Sequence, residues 1–163
     1  MALSVQEIRI RKLLNTYGDS IFRLARSYLH NEADAQEIVQ DTIIQLLRYD
    51  PDFPDSGKEK AWLMKTAANL SRNRIRFNQA HETDELQEQL AAEEKTDLSY
   101  VWDAVRQLPQ KQREVIHLFY QEGYSTKEIA DILGRRESTV RADLSRARTA
   151  LKTILKEAYD FEE

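Results

Sequence analysis

The sequence contains no cysteine, so it can form neither a disulfide framework nor a thiolate metal site. Only four glycines and three prolines interrupt its 163 residues, and the stretches between them are rich in Leu, Ile, Ala, Glu and Arg. This composition predicts an all-α protein. No run approaches the ~20 apolar residues of a membrane-spanning helix, and no secretory signal is recognisable. We therefore expect a cytoplasmic protein without membrane insertion.

Signals of catalysis and of metal binding are also missing. The three histidines are scattered singly, at positions 30, 81 and 117, whereas a metal site needs clustered ligands. No glycine-rich phosphate loop, paired acid and base, or nucleophile motif is present. We expect no metal, no cofactor and no enzymatic activity.

Charge is distributed unevenly along the chain, whose formal net charge is −4. Residues 78–97 hold seven acidic residues and one basic residue, whereas residues 98–163 hold 11 of each. Residues 1–77 carry 12 basic and 10 acidic residues. The acidic segment predicts a linker between two small helical domains, 1–77 and 98–163. A surface helix packed by Leu86 and Leu90 fits the same segment.

Helix signals divide the first domain. A capping-box pattern opens a helix at Ser4, and Gly18 with Asp19 predicts a break before a second helix. Asn31 is expected to cap a third helix, "EADAQEIVQDTIIQLLRY". After the proline-containing loop "DPDFPDSG", a long helix is expected over residues 59–77. The pattern is that of a helical bundle.

The second domain has the pattern of a helix-turn-helix. Asp97 is expected to cap a first helix, Pro109 to begin the next, and Gly123 to end it. A second capping box, "STKE", opens a short helix that ends at Gly134. A long final helix is expected over residues 137–158, after a tight turn.

The final helix carries arginines and short side chains opposite its predicted buried stripe. The residues that recur at helical spacing and define that stripe are Val140, Leu144, Ala147, Leu151 and Ile154. Short side chains between arginines let a helix enter the major groove while guanidinium groups reach bases or phosphates. The predicted DNA-contacting residues, two of them in the turn, are Arg135, Arg136, Ser138, Thr139, Arg141, Ala142, Ser145 and Arg146. A solvated arginine-rich face is the alternative.

Asp143 interrupts this basic helix. On a helical projection it falls about 60° from the buried stripe, at the edge of the helix. We expect it to pair with Arg146 at i+3, or to hold the preceding helix through Lys127. In either case it orients a neighbour and does not itself contact a base.

A second basic face lies on the helix predicted over residues 59–77. Cations and amides recur on one side with an aromatic side chain upstream. The residues on the opposite side are Met64, Ala67, Ala68, Ser71 and Ile75. This combination matches phosphates and unstacked bases. A surface stripe with the tryptophan in the core is the alternative. The predicted contacts are Trp62, Lys65, Asn69, Arg72, Asn73 and Arg76.

Three motifs, in this order and spacing, resemble the extracytoplasmic-function (ECF) group of bacterial sigma factors. They are "NEADAQEIVQDTI", "KAWLMKTAANLSRNRIR" and "LPQKQREVIHLFYQEGYSTKEIADILGRRESTVRADLSRARTAL", within about residues 14–155. The resemblance implies binding to core RNA polymerase and to promoter DNA. The helix-turn-helix would recognise the −35 element, and the first domain would recognise and melt the −10 element. Control by an anti-sigma factor is a further expectation.

The resemblance also assigns an acid-amide face to polymerase binding, formed by Asp34, Glu37, Ile38, Gln40 and Asp41. The loop "DPDFPDSGKEK" matches the loop that captures a flipped −10 base. The acidic linker either occupies polymerase channels that hold nucleic acid or serves as a flexible tether.

Three positions depart from the family pattern. Arg136 stands where a small residue, often serine, caps the recognition helix. Loss of that cap costs about 1 kcal/mol unless Ser138 or solvent replaces it. We expect Arg136 to contact DNA instead. Asn73 replaces a common aspartate, and Asp143 occupies a position that is usually basic. These differences bear on the promoter sequence and leave the general function intact.

Two other binding functions fit parts of the pattern. A stand-alone helix-turn-helix regulator would bind a palindromic operator as a dimer. A helical adaptor that binds only protein would not need Arg141 or Arg146.

Overall fold

The computed structural model describes residues 4–29, 31–80 and 99–159. Within these ranges every regular element is a helix, which confirms the all-α expectation. Contacts divide the chain into two compact units, Met1–Glu88 and Gln89–Glu163, here called unit 1 and unit 2. The expected linker from residue 81 onward and the expected cap at residue 97 lie outside the described residues.

Up to residue 80, the described residues of unit 1 form three helices, each packed against the other two: α1 (Val5–Tyr28), α2 (Glu32–Tyr49) and α3 (Ser56–Ala80). Ser4 and Asn31 cap α1 and α2 as expected, with side-chain oxygens that accept backbone N–H groups. The largest side chains fully buried in this unit are Ile21, Leu24, Leu46, Leu63 and Met64.

The first helix is continuous, so the predicted break at Gly18 was wrong. Leu13, Tyr17, Ile21 and Leu24 all lie on one buried side of α1, on either side of the glycine. An interior glycine costs about 1 kcal/mol relative to alanine. Burial of each large apolar side chain contributes roughly 1.5–3 kcal/mol, so packing outweighs the glycine.

The third helix is longer than predicted at both ends. It begins at Ser56 because Asp55 Oδ1 accepts the backbone N–H of Lys58 at 2.8 Å, which caps the helix three residues before the predicted start. It continues to Ala80, three residues beyond the predicted end.

The described part of unit 2 contains four α-helices, α4 (Ser99–Arg106), α5 (Gln110–Ile116), α6 (Thr126–Leu133) and α7 (Glu137–Tyr159). The long α7 packs against the other three. The core of unit 2 contains Val115, Ile116, Leu118, Ile129, Ile132 and Val140.

A π-helical turn, His117–Gln121, extends α5 and was not predicted. The backbone N–H of Glu122 donates to the carbonyl of His117 at 3.1 Å, the i to i+5 bond of a π-helix. Gly123 follows with φ of +74° and ends the helix as expected.

The helix-turn-helix forms as the sequence predicted. Ser125 and Glu128 make both bonds of a capping box, each at 3.1 Å. Gly134 ends α6 in the left-handed conformation, with φ of +66°. The carbonyl of Arg136 then accepts the N–H of Val140 at 3.0 Å and starts α7.

Replacement of Gly134 tests this turn. No heavy atom lies within 4 Å of a Cβ added at Gly134, so its left-handed backbone alone resists a side chain. We expect Gly134→Ala to lower the free energy of unfolding by about 1 kcal/mol, and Gly134→Asn to lower it less. Denaturant titration followed by circular dichroism measures both. Gly18→Ala is the matched control and should raise stability, since that glycine is helical. A Gly134→Ala variant with the same free energy of unfolding as the parent would contradict this account.

Tyr17 gives unit 1 a pH dependence. Its hydroxyl donates to Glu59 Oε1 at 2.7 Å, joining α1 to α3. Burial, followed by this carboxylate, raises the pKa of Tyr17 from 10.0 to about 12. The folded protein therefore holds the proton more tightly than the unfolded chain. The contribution of the protonated Tyr17 to stability is complete below the pKa of Tyr17 in the unfolded chain. It is lost as pH rises toward the pKa of Tyr17 in the folded protein.

Denaturant titrations between neutral pH and the folded pKa of Tyr17 test this dependence. We expect stability to decline above the unfolded pKa, and we expect the decline to be smaller in Tyr17→Phe. Tyr49→Phe, at a residue that is 67% exposed, should leave the profile of the parent unchanged. Identical pH profiles for the parent and Tyr17→Phe would refute the assignment.

Candidate nucleic-acid interface

The predicted contact face of α7 is exposed to solvent. Val140, Leu144 and Ala147 are buried as predicted, whereas Leu151 and Ile154 of the same stripe are half-buried. Around the remaining surface, Ala142 is half-buried, and the exposed members of the predicted set are Arg136, Ser138, Thr139, Arg141, Ser145 and Arg146. The helix therefore has a packed side and a side of short and basic side chains that a partner can reach.

Glu137 connects Arg141 to the start of α6. The hydroxyl of Thr126 donates to Glu137 Oε1 at 3.1 Å, and Arg141 Nη1 lies 3.6 Å from the same oxygen. Arg141 remains 62% exposed, so this ion pair is weak and can be exchanged for another anion.

Arg135 differs from the rest of the predicted set because its side chain points into unit 2. Only 15% of the side chain is exposed. Its guanidinium group contacts the carboxylate of Glu114, which is 1% exposed on α5. It also lies 3.4 Å from Asp143 Oδ2 on α7.

Asp143 is more deeply buried than the helical projection suggested, because only 7% of the whole residue is exposed. Its predicted pair with Arg146 is present, with Oδ1 and Nη1 3.5 Å apart. The second partner is Arg135 and not Lys127. The turn before α7, where Arg135 lies, approaches Asp143 more closely than a straight helical projection can show.

Glu114 was not identified from the sequence, although a signal for it exists. It directly precedes Val115 and Ile116 and lies one helical turn before Leu118, so it occupies an apolar helix face. An acid in that position requires a buried partner.

The predicted face of α3 also forms. Lys65, Asn69, Asn73 and Arg76 are exposed, and Arg72 is half-buried with its guanidinium bound to Asn69 Oδ1. Trp62 is half-buried, and its ring meets Phe53 edge-on with centroids 6.2 Å apart. On the opposite side, Met64, Ala67, Ala68 and Ser71 are buried and Ile75 is half-buried.

Arg74 of α3 forms salt bridges to two acids of α2, and 29% of its side chain is exposed. Its Nη2 lies 2.8 Å from Asp34 Oδ1 and 2.6 Å from Glu37 Oε2, both on α2. The hydrogen bond to Asp34 is the main reason that the pKa of Arg74 is raised. Asn78 Nδ2 donates to the other Asp34 oxygen at 3.1 Å. These partners lie 37 to 44 residues apart in the chain, so sequence spacing could not reveal them.

The predicted acid-amide face of α2 divides into two parts. Glu37, Gln40 and Asp41 are exposed and form an accessible surface. Ile38 is 3% exposed and belongs to the core. The Asp34 side chain is 15% exposed and faces Arg74.

Among the described residues, no cluster of His, Asp or Glu could hold a metal ion. None of the helices in the same ranges is long and apolar enough to cross a membrane.

Comparison with known proteins identifies both units. Residues 13–81 match the family description "Sigma-70 region 2", and residues 98–151 match "Sigma-70, region 4". The ECF RNA polymerase sigma factor SigL of Mycobacterium tuberculosis is 30% identical, over 96% of this chain and 94% of the relative. SigM of the same organism is 28% identical over 88% of this chain and 76% of its own length.

Solved structures agree with this assignment. The sigma factor RpoE of Bartonella quintana, solved with the anti-sigma factor NepR, gives a TM-score of 0.69 at 26% identity, over 90% of this chain and 96% of that one. CnrH, solved with the cytosolic domain of CnrY, gives a TM-score of 0.70 at 27% identity, over 93% of this chain and 90% of CnrH. The chain belongs to the ECF group of RNA polymerase sigma factors, transcription initiation factors that direct the polymerase to promoters.

Proposed function

We propose that α7 enters the major groove of the −35 element. The observation that carries the proposal is the division of α7 into a buried apolar stripe and an exposed face of short side chains between arginines. Arg141 and Arg146 are the proposed base contacts, since both side chains are more than half exposed. Arg136 at the helix N-terminus is proposed to bind phosphate. The short residues that allow close approach are Ser138, Thr139, Ala142 and Ser145.

We propose that α3 contacts the −10 element. Asn69 and Asn73 offer amides to base edges, and Lys65 and Arg76 offer cations to phosphates, all from one exposed face. Arg72 supports Asn69 through its bond to Oδ1. Trp62, at the upstream end of this face, provides an aromatic surface for an unstacked base.

The exposed residues Glu37, Gln40 and Asp41 are the proposed surface for core RNA polymerase. An accessible row of acids and an amide matches a basic protein partner. Two residues fix this surface to the rest of unit 1: Asp34 binds Arg74, and Ile38 packs in the core. The salt bridge of Arg74 thereby connects the proposed polymerase surface to the helix proposed for the −10 element.

The free protein is proposed to bind promoter duplex weakly. Affinity for DNA grows with the number of phosphates neutralised, and the net charge of −4 opposes that binding. Promoter recognition then requires the polymerase complex. A dimeric operator-binding regulator would instead bind a palindromic duplex tightly on its own.

The remaining assignments follow from the family. We propose that the protein acts in the cytoplasm, catalyses no reaction itself and needs no cofactor. We also propose control by an anti-sigma factor, because the similar RpoE of Bartonella quintana was solved with the anti-sigma factor NepR.

Transcription from a genomic library tests the proposed DNA contacts. Core polymerase with this protein should initiate at a defined set of sites, and sequencing the starts gives the promoter. We expect Arg141→Ala and Arg146→Ala each to weaken binding of the polymerase complex by about 1–3 kcal/mol, with preference relaxed at one base pair. Arg136→Ser should weaken binding at every sequence alike.

Lys12→Ala on α1 is the control for charge, since it removes an exposed cation far from α7 in the sequence. It should leave the preference at each base pair unchanged. If no start site depends on the protein, the proposed DNA contacts fail. If Arg141→Ala and Arg146→Ala both retain full promoter preference, α7 does not recognise the −35 element.

Charge reversal at Asp41 tests the proposed polymerase surface. We expect Asp41→Lys to weaken binding to core polymerase by about tenfold, because a like charge then faces a basic partner. Asp19→Lys makes the same reversal at an exposed residue of α1 and should have little effect. Competition against labelled parent protein measures both affinities. Equal losses for the two variants would indicate a general charge effect and no specific surface.

A further inference from the structure

Four charged side chains form a continuous chain through unit 2. Glu114 on α5 contacts Arg135 in the turn, and Arg135 Nη1 lies 3.4 Å from Asp143 Oδ2 on α7. The other carboxylate oxygen, Asp143 Oδ1, lies 3.5 Å from Arg146 Nη1. We call these four residues the ion chain. It begins in the interior of the unit and ends at a solvent-exposed arginine.

Three members of the ion chain are largely buried, and only its last member, Arg146, is exposed. The side chains of Glu114, Asp143, Arg135 and Arg146 are 1%, 10%, 15% and 68% exposed. A buried carboxylate is strongly unfavourable without a cation, so Glu114 and Asp143 both depend on the same guanidinium group. A planar guanidinium can bond two carboxylates at once, which an ammonium group cannot do with the same geometry.

The ion chain crosses from one helix to another. Arg135 belongs to the turn immediately before α7, and its Nη1 also donates to the carbonyl of Lys111 on α5 at 3.4 Å. Its bonds therefore fix the start of α7 against α5. The bond from Asp143 then limits the directions in which the Arg146 side chain can point.

We propose that Arg135 and Asp143 are positioning residues that set the base preference of Arg146 without touching DNA. This inference rests on the proposed contact of Arg146 with the −35 element. It adds that the preference is determined by buried groups behind the contact face, and that Arg135 acts through carboxylates and not through phosphate.

The test uses the complex of core polymerase with the full chain. The probes are labelled duplexes carrying the −35 sequence recovered by transcription selection, together with its single-base-pair variants. Arg146→Ala first identifies the base pair at which preference is lost. Asp143→Asn keeps the shape of the side chain and removes its charge. We expect it to reduce preference at that same base pair by about threefold, the size of a weak ion pair.

A double-mutant cycle separates positioning from a general loss of structure. In the Arg146→Ala background, Asp143→Asn should cause no further loss of preference, because the side chain that it orients is gone. Arg135→Lys keeps the cation, so the unit should still fold, with a lower melting temperature. It should reduce preference at the same base pair and show the same dependence on Arg146. Asp131→Asn, at an exposed acid of α6, is the control and should change neither the base preference nor the melting temperature.

The outcomes distinguish the two levels of the proposal. If Arg146→Ala changes no base preference, the DNA contact itself is wrong and this inference falls with it. If Arg146→Ala does change preference but Asp143→Asn and Arg135→Lys lower only the melting temperature, the contact stands and the positioning role is refuted. Tighter binding of Asp143→Asn to every sequence alike would also refute it, since Asp143 would then act only by repelling DNA.

Discussion

The contact between Arg135 and the buried carboxylate of Glu114 is the interaction on which the geometry of unit 2 depends. An acid inside an apolar core is tolerated only where a cation reaches it, and here the cation comes from the turn of the helix-turn-helix. That requirement draws the turn toward α5 and fixes the first residues of α7. The exposed arginines then project from a helix whose start is anchored on the interior.

Unit 1 uses a similar arrangement at a different place. Arg74 joins two acids of α2 to α3, as Arg135 joins acids of α5 and α7. In each unit, one arginine among several cations forms salt bridges to acids on a neighbouring helix, Arg74 in unit 1 and Arg135 in unit 2. A basic sequence pattern therefore overstates the number of cations available to nucleic acid. The pattern predicted the exposed sides of α3 and α7 and did not predict the inward direction of Arg135, while the DNA contacts themselves stay predictions.

Much of the fold follows from local signals in the sequence. The caps at Asn31 and Ser125, the left-handed glycine at 134 and the buried stripe of α7 depend on residues within a few positions of one another. Local signals do not predict two other features, the continuity of α1 through Gly18 and the inward direction of Arg135. Both are decided by side chains on other helices, whose positions periodicity cannot supply. Of the candidate site, the exposed faces were predictable, whereas the salt bridges that support them were not.

The ion chain has a consequence for transferring promoter preference between relatives. A graft that moves only the exposed side chains of α7 onto another sigma factor leaves behind Glu114 and Arg135, which lie on α5 and in the turn. Under the proposed positioning role, Arg146 would then lose the contacts that set its direction. Under the proposed positioning role, a graft that transfers promoter preference must include Arg135 and Asp143 as well as the contact face.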